Sequence, residues 1–193
     1  MAPLKIGLTG GIAAGKSEAL EAFGRLGAAT LSSDAVVHEL LEGEPLRRRL
    51  AERWGPDVLA GDGVDRAKIG EIVFADPGQL SWLEEQIHPL VQERTAAWLG
   101  SLPEGTEVAV VEVPLLFEDG SDKVFDTTVA VVTADAVRRE RAAARGHALV
   151  DEREARQLPQ AEKAERAEHV IANDGSVEDL ERALSALLAK LRR

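Results

Sequence analysis

Residues 10–17 read Gly-Gly-Ile-Ala-Ala-Gly-Lys-Ser, which matches the pattern G-x-x-x-x-G-K-S/T, and no other stretch narrows the possible folds as much. The pattern makes physical sense in one setting. A strand enters, a glycine-rich turn brings backbone N–H groups together on an anion, and a helix leaves with its positive dipole end aimed at the same point. The flanks supply that setting: residues 4–8 are a short apolar run that predicts a buried strand, and residues 16–26 carry Leu20, Phe23 and Leu26 at helical spacing. There Lys16 reaches the terminal phosphates of a nucleoside triphosphate and the Ser17 hydroxyl ligates Mg²⁺. The bland reading, a glycine-rich turn with a surface lysine, requires the full pattern and its correct context to coincide by chance.

The rest of the chain extends the same architecture. Residues 28–31 predict a second strand, followed by a helix from about Asp34 with Val37, Leu40 and Leu41 on one side. This βαβα order favours a parallel sheet covered by helices. Residues 45–100 show no convincing strand: 46–54 and 65–74 are helical, 61–63 form a turn, and 77–100 carry one apolar stripe that Pro89 should kink or divide. Almost continuous apolar runs at 107–113 and 126–133 predict strands buried on both faces, and 169–172 predict a last one. Between them, 134–166 are rich in Arg and Glu and read as exposed, mobile helix. Asn173-Asp174-Gly175 signals a turn, and Val177, Leu180, Leu184, Leu187, Leu188 and Leu191 stripe a terminal helix. The expected fold is α/β, a parallel five-stranded sheet flanked by helices, with a core of residues 1–44 and 105–193 interrupted by a helical insertion at 45–104.

Charge and cysteine usage exclude several classes. With 34 Asp and Glu against 23 Lys and Arg, the net charge of −11 repels polyanions, so generic binding to nucleic acid or an anionic membrane is not expected. An anionic ligand must be held locally. The absence of cysteine excludes disulfides, thiol catalysis and Cys-ligated zinc. No apolar run approaches the ~20 residues of a membrane span, and residues 1–5 lack a signal peptide's apolar stretch, so a cytoplasmic location is expected. Oligomeric state is left open.

A triphosphate site leaves the reaction open. A guanine-reading Asn-Lys-x-Asp segment is absent, and the strand through residues 108–111 ends in Glu112 without the Asp-Glu pair of motor ATPases. What remains is a small-molecule kinase, in which an acceptor hydroxyl attacks the γ-phosphate. Asp34, just past a strand end, is placed either to accept or orient that proton or merely to cap its helix. Arg141 and Arg145 lie four apart, on one helix face, where two guanidiniums close over phosphates or form a solvated, salt-bridged surface.

At this point the chain resembles the bacterial dephospho-coenzyme A kinases nearly end to end. The loop with its double glycine, Asp34, Arg66, Phe74, His88-Pro89, Pro114-Leu115-Leu116 with Glu118, Arg141, Arg145, Gln157, Pro159, Lys163, Val170-Ile171, Asn173 and Gly175 follow in the family's order. The resemblance implies a P-loop kinase core, a helical substrate domain and a helical lid at about 136–166. It also implies transfer of the ATP γ-phosphate to the ribose 3′-hydroxyl of dephospho-CoA with Mg²⁺, the last step of coenzyme A synthesis. Gly11, Ile12, Ala13, Ala14, Gly15, Lys16, Ser17, Glu18 and Arg145 would bind the nucleotide; Asp34, Lys16 and Arg141 would be catalytic. Ser17 would ligate the metal, Glu112 would hold one of its waters, and Asp34, Arg66, His88 and Glu118 would meet the substrate. The chain departs from the family pattern at Ser32, Glu112 and Glu168, where Asp is usual, at Glu18, where Thr is common, and at Arg138, where Gln is frequent. Another small-metabolite or nucleoside monophosphate kinase, or a nucleotide-binding module that has lost catalysis, are the competing readings. Ser32 favours the last.

Overall fold

In the computed structural model, which describes residues 2–144 and 157–192, all five apolar runs expected to be strands are strands. In chain order the strands are β1 (Leu4–Gly10), β2 (Ala29–Ser32), β3 (Leu59–Ala60), β4 (Gly63–Val64), β5 (Val108–Glu112), β6 (Thr127–Val132) and β7 (His169–Ala172). The helices are α1 (Lys16–Arg25), α2 (Ser33–Glu42), α3 (Glu44–Trp54), α4 (Arg66–Ala75), α5 (Pro77–Gly100), α6 (Asp135–Ala144), α7 (Gln160–Arg166) and α8 (Val177–Leu191). The chain divides into two units, Met1–Ser32 with Leu102–Arg193, and Ser33–Ser101.

In the first unit the sheet order is β2-β5-β1-β6-β7, with every pairing parallel. All five residues of β5 are buried, as are Ile6 to Gly10 of β1, because helices cover both faces of a parallel sheet. Phe23 of α1 and Leu180, Leu184 and Leu188 of α8 join this core with at most 2% exposure; each such side chain contributes roughly 1.5–3 kcal/mol through burial. The carboxyl ends of the strands, Gly10, Ser32, Glu112, Val132 and Ala172, share one edge of the sheet. The chain leaves β1 toward β2 on one side and later fills β6 and β7 on the other, so the strand order reverses at β1. Open α/β sheets bind ligands at that reversal.

The second unit packs its own core from Leu41, Leu46, Leu50, Val58, Ile69, Val73, Leu83 and Ile87. Asp65 caps α4, accepting from the Ala67 and Lys68 amides at 3.1 Å each, and Asp76 caps α5 through the Gly78 amide at 2.7 Å. Trp54 and Trp82 meet edge to face at 5.2 Å, and Trp54 Nε1 donates to Gln79 Oε1 at 2.9 Å.

Four expectations need correction. The insertion holds a strand pair after all, since Leu59 pairs with Val64 and Ala60 with Gly63 across the expected turn. Gly61, at φ 56°, supplies the positive φ that tight hairpins require. Pro89 does not divide the stripe, because α5 runs unbroken from Pro77 to Gly100. Glu85, His88 and Pro89 are exposed while Leu83 and Ile87 are buried, so the carbonyl that Pro89 leaves without a donor faces water and the opposite face holds the helix together. The unit also begins at Ser33 rather than at residue 45, since α2 packs on α5 and α3. Finally, the Arg/Glu-rich stretch is not solvated throughout, because Lys163 is completely buried. The lid expected at about 136–166 falls partly outside the described residues.

Candidate active site

The phosphate loop connects the buried end of β1 to α1. Gly10 has φ 154° and Gly15 φ 93°, positive values that glycine reaches without steric penalty, whereas Ala13 takes φ 60° against the preference of a residue with a Cβ. A Cβ at Gly10 would lie 2.3 Å from the Val131 carbonyl oxygen, and one at Gly15 2.1 Å from Asn173 Nδ2. Both glycines are therefore fixed by close approach as well as by φ. The first intrahelical bond of α1 runs from the Ala19 amide to Gly15 O at 3.0 Å, so the amides of Ser17 and Glu18 precede the ladder and point out of the helix start, as anion sites require. Lys16 Nζ lies 3.2 Å from Gly10 O and 3.0 Å from Gly11 O, folded over the mouth of its own loop. Glu18 turns its carboxylate away to Arg25 at 3.0 Å.

Arg141 joins the loop. Its Nη1 donates to Asn173 O at 3.0 Å and lies 3.4 Å from Thr133 Oγ1, and it sits 3.7 Å from the position a Cβ would take at Gly15. Helical side chains lean toward the N-terminus, which lets Arg141 reach back to the end of β6 from two turns along α6. Gln160 walls the other side: it accepts from the Thr133 amide and donates to the Thr133 carbonyl, both at 2.9 Å, and its Cβ lies 3.2 Å from a Cβ built at Gly11.

Glu118 meets a buried cation. Its Oε1 lies 3.0 Å from Lys163 Nζ and accepts from the Leu158 amide at 2.8 Å, while Lys163 also donates to the Pro114 carbonyl. Burial pushes the Lys163 pKa below the usual lysine value, and Glu118 opposes the shift in part.

Thus the structure brings together the loop residues 11–18 and Arg141, while Glu118 is tied to Lys163 of α7. Asp34, Arg66 and His88 belong to the second unit and are exposed: Asp34 is the second residue of α2, Arg66 opens α4, and His88 lies within α5. Arg145 lies outside the described residues. Thr133 and Gln160 carried no sequence signal, and Asn173 read as part of a turn and of the family's residue order, with no role of its own. Their roles come from contacts 27 to 159 residues away.

Among the described residues no cluster of three or more His, Cys, Asp or Glu could hold a metal ion. The oxygen donors expected from the sequence are few: the Ser17 hydroxyl, which is exposed, and Glu112, which is buried at the carboxyl end of β5 beside β1. That fits Mg²⁺, which keeps several waters and takes one or two protein ligands beside the phosphates.

A sequence model of the family described as dephospho-CoA kinase matches residues 4–179. The chain belongs to the dephospho-CoA kinase family. Among its relatives, the dephospho-CoA kinase of Lactobacillus johnsonii is 36% identical over 97% of this chain and 98% of its own length. That of Symbiobacterium thermophilum is 41% identical over 90% and 75%. A solved structure from Thermus thermophilus superposes with a TM-score of 0.82 at 36% identity, covering 99% of both chains. The dephospho-CoA kinase of Campylobacter jejuni gives 0.72 at 24% identity over 97% and 96%, a likeness of fold. Shikimate kinase from Acinetobacter baumannii, at 0.54 and 14% identity over 98% and 94%, shares the same parallel-sheet kinase architecture and no more. Membership in the dephospho-CoA kinase family agrees with the resemblance first carried by the loop, the His-Pro pair and the Gln-x-Pro segment.

Proposed function

We propose that the chain transfers the γ-phosphate of ATP to the ribose 3′-hydroxyl of dephospho-CoA, giving CoA and ADP. The observation that carries this reading is the phosphate loop, with Lys16 and Arg141 beside it, in a chain matched to the family over residues 4–179. Loop amides and Lys16 bind the phosphates, and Arg141 offsets charge on the transferred group. O3′ bonds to the γ-phosphorus while the bond to the bridging oxygen of ADP breaks, and Asp34 orients the hydroxyl and takes its proton. In a loose phosphoryl-transfer transition state, orientation counts for more than deprotonation. Ser17, and Glu112 through a water, would hold Mg²⁺, which when bound supplies positive charge to the phosphates. Arg66 and His88 are assigned to the acceptor, Arg145 to the nucleotide and the helical unit to substrate binding; a cytoplasmic location completes the proposal.

The test is ADP release with dephospho-CoA, adenosine monophosphate and pantetheine phosphate offered separately. Only dephospho-CoA should release ADP, and none at saturating MgATP overturns the reading. Asp34→Asn should lower kcat far more than it raises KM for ATP; a change in KM alone would make Asp34 a binding or capping residue.

A further inference from the structure

Asn173 follows β7 and is 6% exposed, and its polar groups face two parts of the site at once. Its side-chain Nδ2 donates to the Ala14 carbonyl at 2.8 Å, inside the phosphate loop. Its backbone N–H donates to Val132 O at 2.8 Å, which fixes the residue to the end of β6. Its carbonyl accepts from Arg141 Nη1 at 3.0 Å and from Thr133 Oγ1 at 2.5 Å.

A trans peptide is planar, with C=O and N–H on opposite sides. Holding the Ala14 carbonyl against Asn173 therefore turns the Gly15 N–H the other way, toward the anion side of the loop. This peptide needs such a restraint, because it runs into Gly15 at φ 93°, and glycine rotates freely in both senses. Resting on the phosphate-transfer reading above, we propose that Asn173 is a positioning residue. It orients the Ala14–Gly15 peptide for phosphate and sets Arg141 in register with that peptide, through one side chain and one carbonyl of the same residue.

The test compares wild type with Asn173→Ala, Asn173→Leu, Arg141→Gln and the Asn173→Ala/Arg141→Gln double variant. Asn173→Leu has nearly the same size, no N–H to give and no charge to repel phosphate, which separates the lost donor from a cavity. Affinity for a non-hydrolysable ATP analogue, measured without acceptor, should fall about tenfold or more in both Asn173 variants, as expected when a peptide no longer held at Ala14 O loses an N–H bond to a charged phosphate. In ADP release, the double variant should lose less kcat than the product of the two single losses, because each change already uncouples Arg141 from the loop. Unchanged nucleotide affinity in Asn173→Leu, or a lowered melting temperature with kcat multiplicative across the double variant, overturns the proposal. The analogue-binding arm needs no acceptor. A wild type that binds the analogue but makes no ADP with dephospho-CoA therefore removes the assigned reaction and leaves the role of Asn173 to be decided by affinity.

Discussion

Lys16 Nζ lies 3.0 Å from Gly11 O at the mouth of the loop, and in the proposed reaction it serves the phosphates, so its worth is expected in the site and not in the fold. Lys16→Ala should cut ADP release by about 10²–10³-fold, the usual loss when one fixed electrostatic donor is removed, with an unchanged far-UV circular dichroism spectrum. Lys163 is the opposite case: fully buried and paired to Glu118, it matters to stability. Because burial lowers its pKa, the folded chain releases this proton before the unfolded chain does. Between the folded-state pKa and the ordinary lysine value the unfolded state binds more protons, and stability rises with pH. Urea unfolding from about pH 7 to about pH 10 should show wild type gaining on Lys163→Met/Glu118→Gln through that window. At neutral pH the double variant should match or exceed wild type, since a buried ion pair rarely outperforms an apolar replacement.

Among the elements, those whose apolar pattern is local were legible in the sequence, and β7 matches its expected bounds, His169–Ala172. The β3–β4 hairpin escaped notice because two residues per strand are too few to show alternation. For α5 the error was energetic. Pro inside a helix costs about 3 kcal/mol, yet the apolar face of this long helix, with Leu83 and Ile87 in the core, outweighs that cost. Pro89→Ala should therefore raise the unfolding free energy by about 2 kcal/mol, the helix gain less about 1 kcal/mol of unfolded-chain entropy that proline had removed. Urea unfolding followed by circular dichroism reads this directly.

For the whole molecule, a net charge of −11 sets self-repulsion against folding. Raising NaCl from about 20 mM to about 300 mM shortens the Debye length from about 20 Å to about 6 Å and should raise the melting temperature in a thermal scan. A fall would mean that exposed ion pairs such as Arg25 with Glu18 and Glu181 outweigh the net repulsion. The acidic excess nonetheless says little about the ligand, because the positive groups that matter are gathered locally at Lys16, Arg141 and the helix start.

The sequence by itself determined the parallel sheet, the phosphate loop and the family, since apolar periodicity and a contiguous motif are written in neighbouring residues. Only the tertiary structure decided that Gly15 must be glycine because Asn173 lies against it, that Arg141 binds at the end of β7 and that Lys163 is buried against Glu118. These are contacts between residues 32 to 158 positions apart, and no local pattern records which distant polar groups will be desolvated together.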